Sequence, residues 1–186
     1  ENNFFGFGST NDMEMSPAYL IIKHQTFPLQ TPSPGEAGYD AQYRIPCAKV
    51  MGGPRGRAQA FRPASIVNTS AMSYGSLSRN AVLALNGGAR IGGFAHNTGE
   101  GGLSPHHLEP GGDLVWQIGT GYFGCRTPDG RFSVEEFATR ATLPSVKMIE
   151  VKLSQGAKPG HGGILPAAKL TPEIVAIRGV VPGQDV

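Results

Sequence analysis

A chain of 186 residues has room for one domain, with or without an extended arm, and excludes two large ones. Its 27 glycines and 15 prolines, just under a quarter of the residues, make it loop-rich, yet 39% apolar residues still suffice for a core. A net charge of +2 from 16 basic and 14 acidic side chains, with no basic run, leaves nothing on which a sequence-independent grip on nucleic acid or an anionic membrane could rest. No stretch approaches the ~18–20 consecutive apolar residues of a membrane span, so the chain is expected to be soluble. Cys47 and Cys125 stand far apart, without a C-x-x-C or histidine-rich partner, and read as reduced thiols of a cytosolic protein.

Residues 1–64 read as a loop-rich arm. Phe27-Pro28, the run Thr31-Pro32-Ser33-Pro34-Gly35 and Gly52-Gly53-Pro54 interrupt each short apolar stretch before a helix can form. From Ser65 the pattern becomes strand, glycine loop and helix. A strand is expected over 65–69, then a small-residue turn at 71–75, then a helix over 78–89 weakened at its end by Gly87-Gly88. Phe94-Ala95-His96 leads into the polar glycine loop 97–102. Leu114-Val115-Trp116-Gln117-Ile118 reads as a strand, expected to pair with Gly130-Arg131-Phe132 across the turn residues 127–130. Ser133 with Glu136 three residues later is a capping box opening a helix that Pro144 closes. Residues 147–153 form the strongest strand pattern, and Thr171-Pro172-Glu173 opens a last helix ending at Arg178-Gly179. Such alternation predicts a parallel α/β layout with chemistry on the loops at the strands' carboxyl ends.

Gly119, Gly121 and Gly124 satisfy G-x-G-x-x-G after a strand, but Cys125-Arg126-Thr127-Pro128-Asp129-Gly130 follows as a turn rather than a helix, so a dinucleotide site is rejected. His96, His106, His107 and His161 lack metal-ligand spacing and read as hydrogen-bonding or solvated groups; no metal site is expected. Two thiols cannot ligate an iron–sulfur cluster. More informative are residues 147–163, where Lys152 ends an apolar strand and flanks Gln155 with Lys158 among glycines. Charge at the end of a buried strand is costly unless used, so cations and an amide converging there point to a planar or anionic ligand. Glu100, set among glycines, is either a solubilising turn residue or an acid/base carboxylate.

Residues 70–78, the run from His96 to Gly102, and residues 147–163 with their Gln155-Gly156-Ala157-Lys158-Pro159-Gly160 core resemble, in the same order, the FMN-binding synthase domain of glutamate synthase and its shorter single-chain relatives. The resemblance implies a (β/α)8 TIM barrel with FMN at its carboxyl-end mouth, fed with electrons through an iron–sulfur cluster by a donor such as ferredoxin or a reductase. It also implies reduction of the imine of 2-oxoglutarate and ammonia to L-glutamate. Residue by residue, it implies Ala71, Met72 and Ser73 against the flavin ring and Gln117 and Lys152 at its polar edge. Gln155, Lys158 and Arg178 fall on positions that hold substrate carboxylates and the keto group, with Lys158 and Glu100 as the catalytic pair.

Two departures follow. Ile164 stands where many relatives carry glutamine, which removes one substrate hydrogen bond. The 122 residues after the arm amount to about three of eight βα units, where a whole barrel takes at least ~200 residues. The expectation is therefore an incomplete barrel, the early part of a longer polypeptide, with any cluster further downstream and open sheet edges prone to self-association. The alternatives are a non-catalytic complementing piece, or a flavoprotein acting on another amino or N-alkylamino acid.

Overall fold

The computed structural model describes residues 33–39, 49–153 and 164–186. The chain forms two compact units. Of the first, residues 33–39 make a turn in which Glu36 N donates to Ser33 O and Ser33 N donates to Glu36 Oε2. The remaining described residues belong to the second unit, a mixed α/β structure with a three-stranded parallel sheet and four α-helices among them.

The helices are α1 (Arg79–Gly92), α2 (Pro105–Leu108), α3 (Val134–Ala141) and α4 (Pro172–Arg178). The strands are β1 (His96–Asn97), β2 (Leu114–Ile118) and β3 (Val146–Val151), in spatial order β1-β2-β3. Local chemistry explains most boundaries. Ser78, Ser104, Ser133 and Thr171 each accept a backbone N–H of the helix they precede, and Gly93 and Gly179 close α1 and α4 in the left-handed conformation. Helix α3 ends at Ala141, ahead of Pro144, as expected.

Helix α1 runs past Gly87-Gly88 to Gly92. Its Val82, Asn86 and Ala89 lie on one stripe and are fully buried, and Asn86 Oδ1 accepts Gly112 N at 2.9 Å, so tertiary burial outweighs the weak glycine propensity. Two other expectations are corrected. The strand over 65–69 shrinks to a single parallel bridge between Thr69 and His96, with Ile66 and Val67 exposed. Residues 130–132 do not pair with β2; Phe132 instead bridges Arg126 in antiparallel fashion, closing a hairpin on itself, because both edges of β2 are taken by β1 and β3. Helix α2 was not anticipated from the sequence; its four residues are too short for a periodic signal.

All five residues of β2 are buried. Leu114, Trp116 and Ile118 face a core with Leu103, Cys125 and Val146, against which Leu108, Phe137, Ala141 and Leu143 pack. The Trp116 and Phe137 rings stack at 5.8 Å. Val115 and Gln117 face the opposite side of the sheet, in register with Met148 and Glu150. A second cluster of Tyr74, Val82, Leu165 and Ile174 joins α1 to α4. Among the described residues no helix is long and apolar enough to cross a membrane.

Trp116 is fully buried between sheet and helix, so Trp116→Ala should cost about 3–5 kcal/mol, read as a lower denaturant midpoint, while Trp116→Phe should recover part of it.

Candidate active site

Four adjacent chain segments end on the same side of the sheet, because parallel pairing puts all their carboxyl ends together. Thr69 leads into 70–73, β1 into 98–102, β2 into 119–125, and β3 into Lys152. The first two loops nest closely. Met72 N donates to Asn97 O at 3.1 Å, and a Cβ on Gly99, whose φ is +68°, would lie 2.8 Å from Ser73 N. A Cβ on Gly101 would meet Arg178 Nη2 at 2.8 Å. Glycine at both positions is what lets the loops touch.

On the face of the sheet opposite Trp116, Glu150 Oε2 accepts Gln117 Nε2 at 2.5 Å and Asn97 Nδ2 at 2.7 Å. These two bonds, with smaller help from the Lys152 charge, hold the Glu150 carboxyl below its ordinary range. Thr98 Oγ1 accepts Gln117 N and Asn97 Oδ1 accepts Gly99 N, so the strand ends and the first glycine loop form one network. Beside it Lys152 Nζ donates to Glu100 Oε2 at 2.8 Å, both side chains about two-thirds buried or more. A hollow of about 450 Å³ opens along this face, lined by Phe61 and Pro63 from the expected arm, Ser70, Ala71, Asn97, Gln117, Met148 and Glu150 among others.

Met72 and Ser73 do not line this hollow; they stand behind Ala71. Ser73 shares a hydrogen bond with Ser76, and the Met72 carbonyl accepts His107 Nε2–H at 3.1 Å. That bond assigns the tautomer: Nε2 carries the proton and Nδ1 accepts from Ser104. Burial pushes the His107 pKa down to about 4, against a small opposing pull from the Met72 carbonyl. His106 bonds Glu173 at 2.7 Å, and Glu173 also accepts the Tyr74 hydroxyl. Burial first, and then Glu173, push Tyr74 up to about 12. Arg178 is buried, donates to Tyr74 O at 3.1 Å and lies over the Phe123 ring at 5.0 Å, beside the loop that carries Glu100.

Of the sequence-derived residues, the structure brings Ala71 and Gln117 to the hollow and Lys152 to Glu100. Arg178 sits behind the Gly99 to Gly101 turn. Gln155 and Lys158, with Cys47 and His161, lie outside the described residues. In place of the helix a dinucleotide fingerprint needs, 119–125 is a turn with Tyr122 at φ +52°, and the next helix starts only at Val134. Sequence reasoning missed Asn97 and Glu150 as site residues; His107, read as a hydrogen-bonding or solvated group, is hydrogen-bonded to Ser104 and Met72. The signal for Asn97 and Glu150 was weak: Asn97 opens a polar glycine loop, and Glu150 is one of two charges, with Lys147, in the β3 pattern.

Residues 54–186 match the family model described as the conserved region in glutamate synthase. The chain belongs to the glutamate synthase family. It is 47% identical over 127 residues to the glutamate synthase large subunit-like protein YerD of Bacillus subtilis, covering 68% of this chain and 24% of that protein. To the archaeal-type glutamate synthase [NADPH] of Thermotoga maritima it is 39% identical over 116 residues, covering 62% of this chain and 20% of that one. To the archaeal glutamate synthase [NADPH] of Methanocaldococcus jannaschii it is 41% identical over 115 residues, 61% and 20% respectively. The chain thus spans a fifth to a quarter of the length of these curated relatives.

The neutral, buried His107 has a definite consequence for this glutamate synthase family member. The unfolded chain takes up a proton near the ordinary histidine value of about 6.5, which the folded site refuses until about pH 4. Stability followed by thermal melting should therefore fall as pH drops through that window, and His107→Gln should flatten the fall. The Glu150 contribution has the same sign at lower pH: it is fully present above about 4.3 and is lost as pH falls through the depressed folded value.

Proposed function

We propose that the protein is an FMN-dependent, glutamate synthase-like oxidoreductase forming L-glutamate from 2-oxoglutarate and ammonia. On this reading its sheet is the opening portion of a (β/α)8 barrel. The observation that carries the reading is the convergence of Ala71, Gln117 and the Lys152–Glu100 pair at the carboxyl ends of adjacent parallel strands, beside a hollow of small-molecule size.

A flat heterocycle fits these residues. Ser70 and Ala71 leave room on one side, Gln117 keeps an oxygen without a partner among the described residues, and Lys152 supplies a cation at the strand end. The chemistry that FMN supplies when bound is two-electron transfer. Lys152 offsets the negative charge that gathers on the ring edge with added electrons, and its bond to Glu100 fixes the direction of its ammonium group. Glu100 in turn takes a proton as ammonia condenses with the keto group. Gln155 and Lys158 hold the keto group and a carboxylate of 2-oxoglutarate. The resemblance also assigns a substrate carboxylate to Arg178, whose guanidinium donates to Tyr74 O. A donor such as ferredoxin or a reductase would supply the electrons, and an iron–sulfur cluster between donor and flavin would need ligands beyond the two cysteines of this chain.

The full-length protein is expected to purify yellow, or to take up added FMN, and with reduced ferredoxin to form glutamate from 2-oxoglutarate plus ammonia. A flavin-loaded protein that makes no glutamate under these conditions would remove the substrate assignment. Lys152→Ala should slow flavin reduction by about ten-fold or more in stopped-flow absorbance. An unchanged rate together with unchanged flavin affinity would count against Lys152 at the ring edge.

A further inference from the structure

The two ends of a carboxamide have nearly the same shape and opposite hydrogen-bonding sense, so its neighbours decide which end meets a ligand. On the face of the sheet that lines the hollow, that neighbour is Glu150. Its Oε2 lies within hydrogen-bond reach of both Gln117 Nε2 and Asn97 Nδ2. An ionised carboxylate only accepts, so both amides must turn their nitrogens toward it. Asn97 then spends its oxygen on Gly99 N, and both of its ends are taken.

Gln117 differs. Its backbone N–H goes to Thr98 Oγ1 and its Nε2 to Glu150, but its Oε1 has no partner among the described residues, although the residue is only 6% exposed. Gln117 lines the hollow, so this acceptor has a ligand-sized space in front of it. An acceptor so placed is available to a donor on a ligand that enters the hollow. Lys152, one residue beyond β3 and on the Glu150 side by strand alternation, sets a cationic donor near the same space.

We infer that Glu150 is a positioning residue. By holding the Gln117 nitrogen it presents the Gln117 oxygen to the hollow, and the site thereby selects flat heterocycles that offer an imide N–H over those offering an acceptor or a methyl group at that point. The inference rests on the flavin reading above, since the pyrimidine ring of FMN carries such an N–H between two carbonyls. Asn97 shares the carboxylate and keeps Glu150 from turning away.

The test titrates the flavin-stripped protein with FMN and with N3-methyl-FMN, following flavin fluorescence. The wild type should prefer FMN by about ten-fold, the worth of one well-placed hydrogen bond. In Glu150→Gln the neutral amide can donate as well as accept, Gln117 is free to turn, and the preference should fall to near unity. Steric rejection of the methyl group would survive that substitution, so a full preference retained in Glu150→Gln overturns the role of Glu150. Equal binding of both flavins by the wild type overturns donor selection while leaving the flavin reading intact. No binding of FMN by the wild type removes the flavin reading and this inference together. If Glu150→Gln fails to fold by thermal melting, Gln117→Met, similar in size but without the amide acceptor, takes its place; a preference undiminished in that variant overturns the inference.

Discussion

The unit holding the sheet depends on one constraint: β2 is buried on both faces and paired on both edges. A strand in that position can carry apolar side chains on either side, or polar ones only where each finds a partner. Here the two faces divide the options. Leu114, Trp116 and Ile118 pack against α3 and the loops beside it, and Gln117 on the opposite face is tolerated because Glu150 and Thr98 satisfy its donors. Both neighbours of β2 run parallel to it, so every loop that follows a strand emerges on the same side. That single consequence of pairing gathers residues from four distant stretches into one place.

The gathered residues are held by polar contacts rather than by bulk. Glu150 ties β3 to β1 and β2 through a single carboxylate oxygen. Lys152 and Glu100 tie the end of β3 to the glycine loop after β1. His107, buried and neutral, props the Met72 carbonyl from behind, and Glu173 fastens α4 to Tyr74 and His106. His107 is buried and Lys152 and Glu100 are partly buried, so each would be costly without its partner, while the more exposed Glu150 and Glu173 each gather two donors. Loops supported in this way have little freedom to move apart, which is the condition for placing reactive groups to within a fraction of an ångström.

How much of this was legible varies with the range of the interaction. The helix start near Ser78, the serine half of the box at Ser133, the Thr171 cap and the turn at 127–130 follow from residues three or four apart, and they were read correctly. The end of α1 was misjudged because Gly87-Gly88 weakens a helix in isolation, whereas Val82, Asn86 and Ala89 bind it to the rest of the unit. The pairing of 130–132 with β2 was misjudged because strand pattern says nothing about which edges are still free. Gln117 was picked out, yet its partner Glu150 was not: in sequence Glu150 is one charge in a strand pattern, and only the register of β2 with β3 puts the two side by side.

Sequence alone therefore determined the alternation of strand, glycine loop and helix, the starts of α1, α3 and α4 and the ends of α3 and α4, and the membership of Ala71, Glu100, Gln117 and Lys152 in loops or strand ends of a parallel layout. These depend on backbone preferences and hydrogen bonds that reach only a few residues. Tertiary structure alone decided strand order, the facing of Gln117 and Glu150 into a common hollow, the pairing of Lys152 with Glu100, and the burial of His107 against Met72. The physical reason is that each such contact joins groups tens of residues apart, whose meeting is set by which strands pair and in what register, and that is a property of the whole fold rather than of any local stretch.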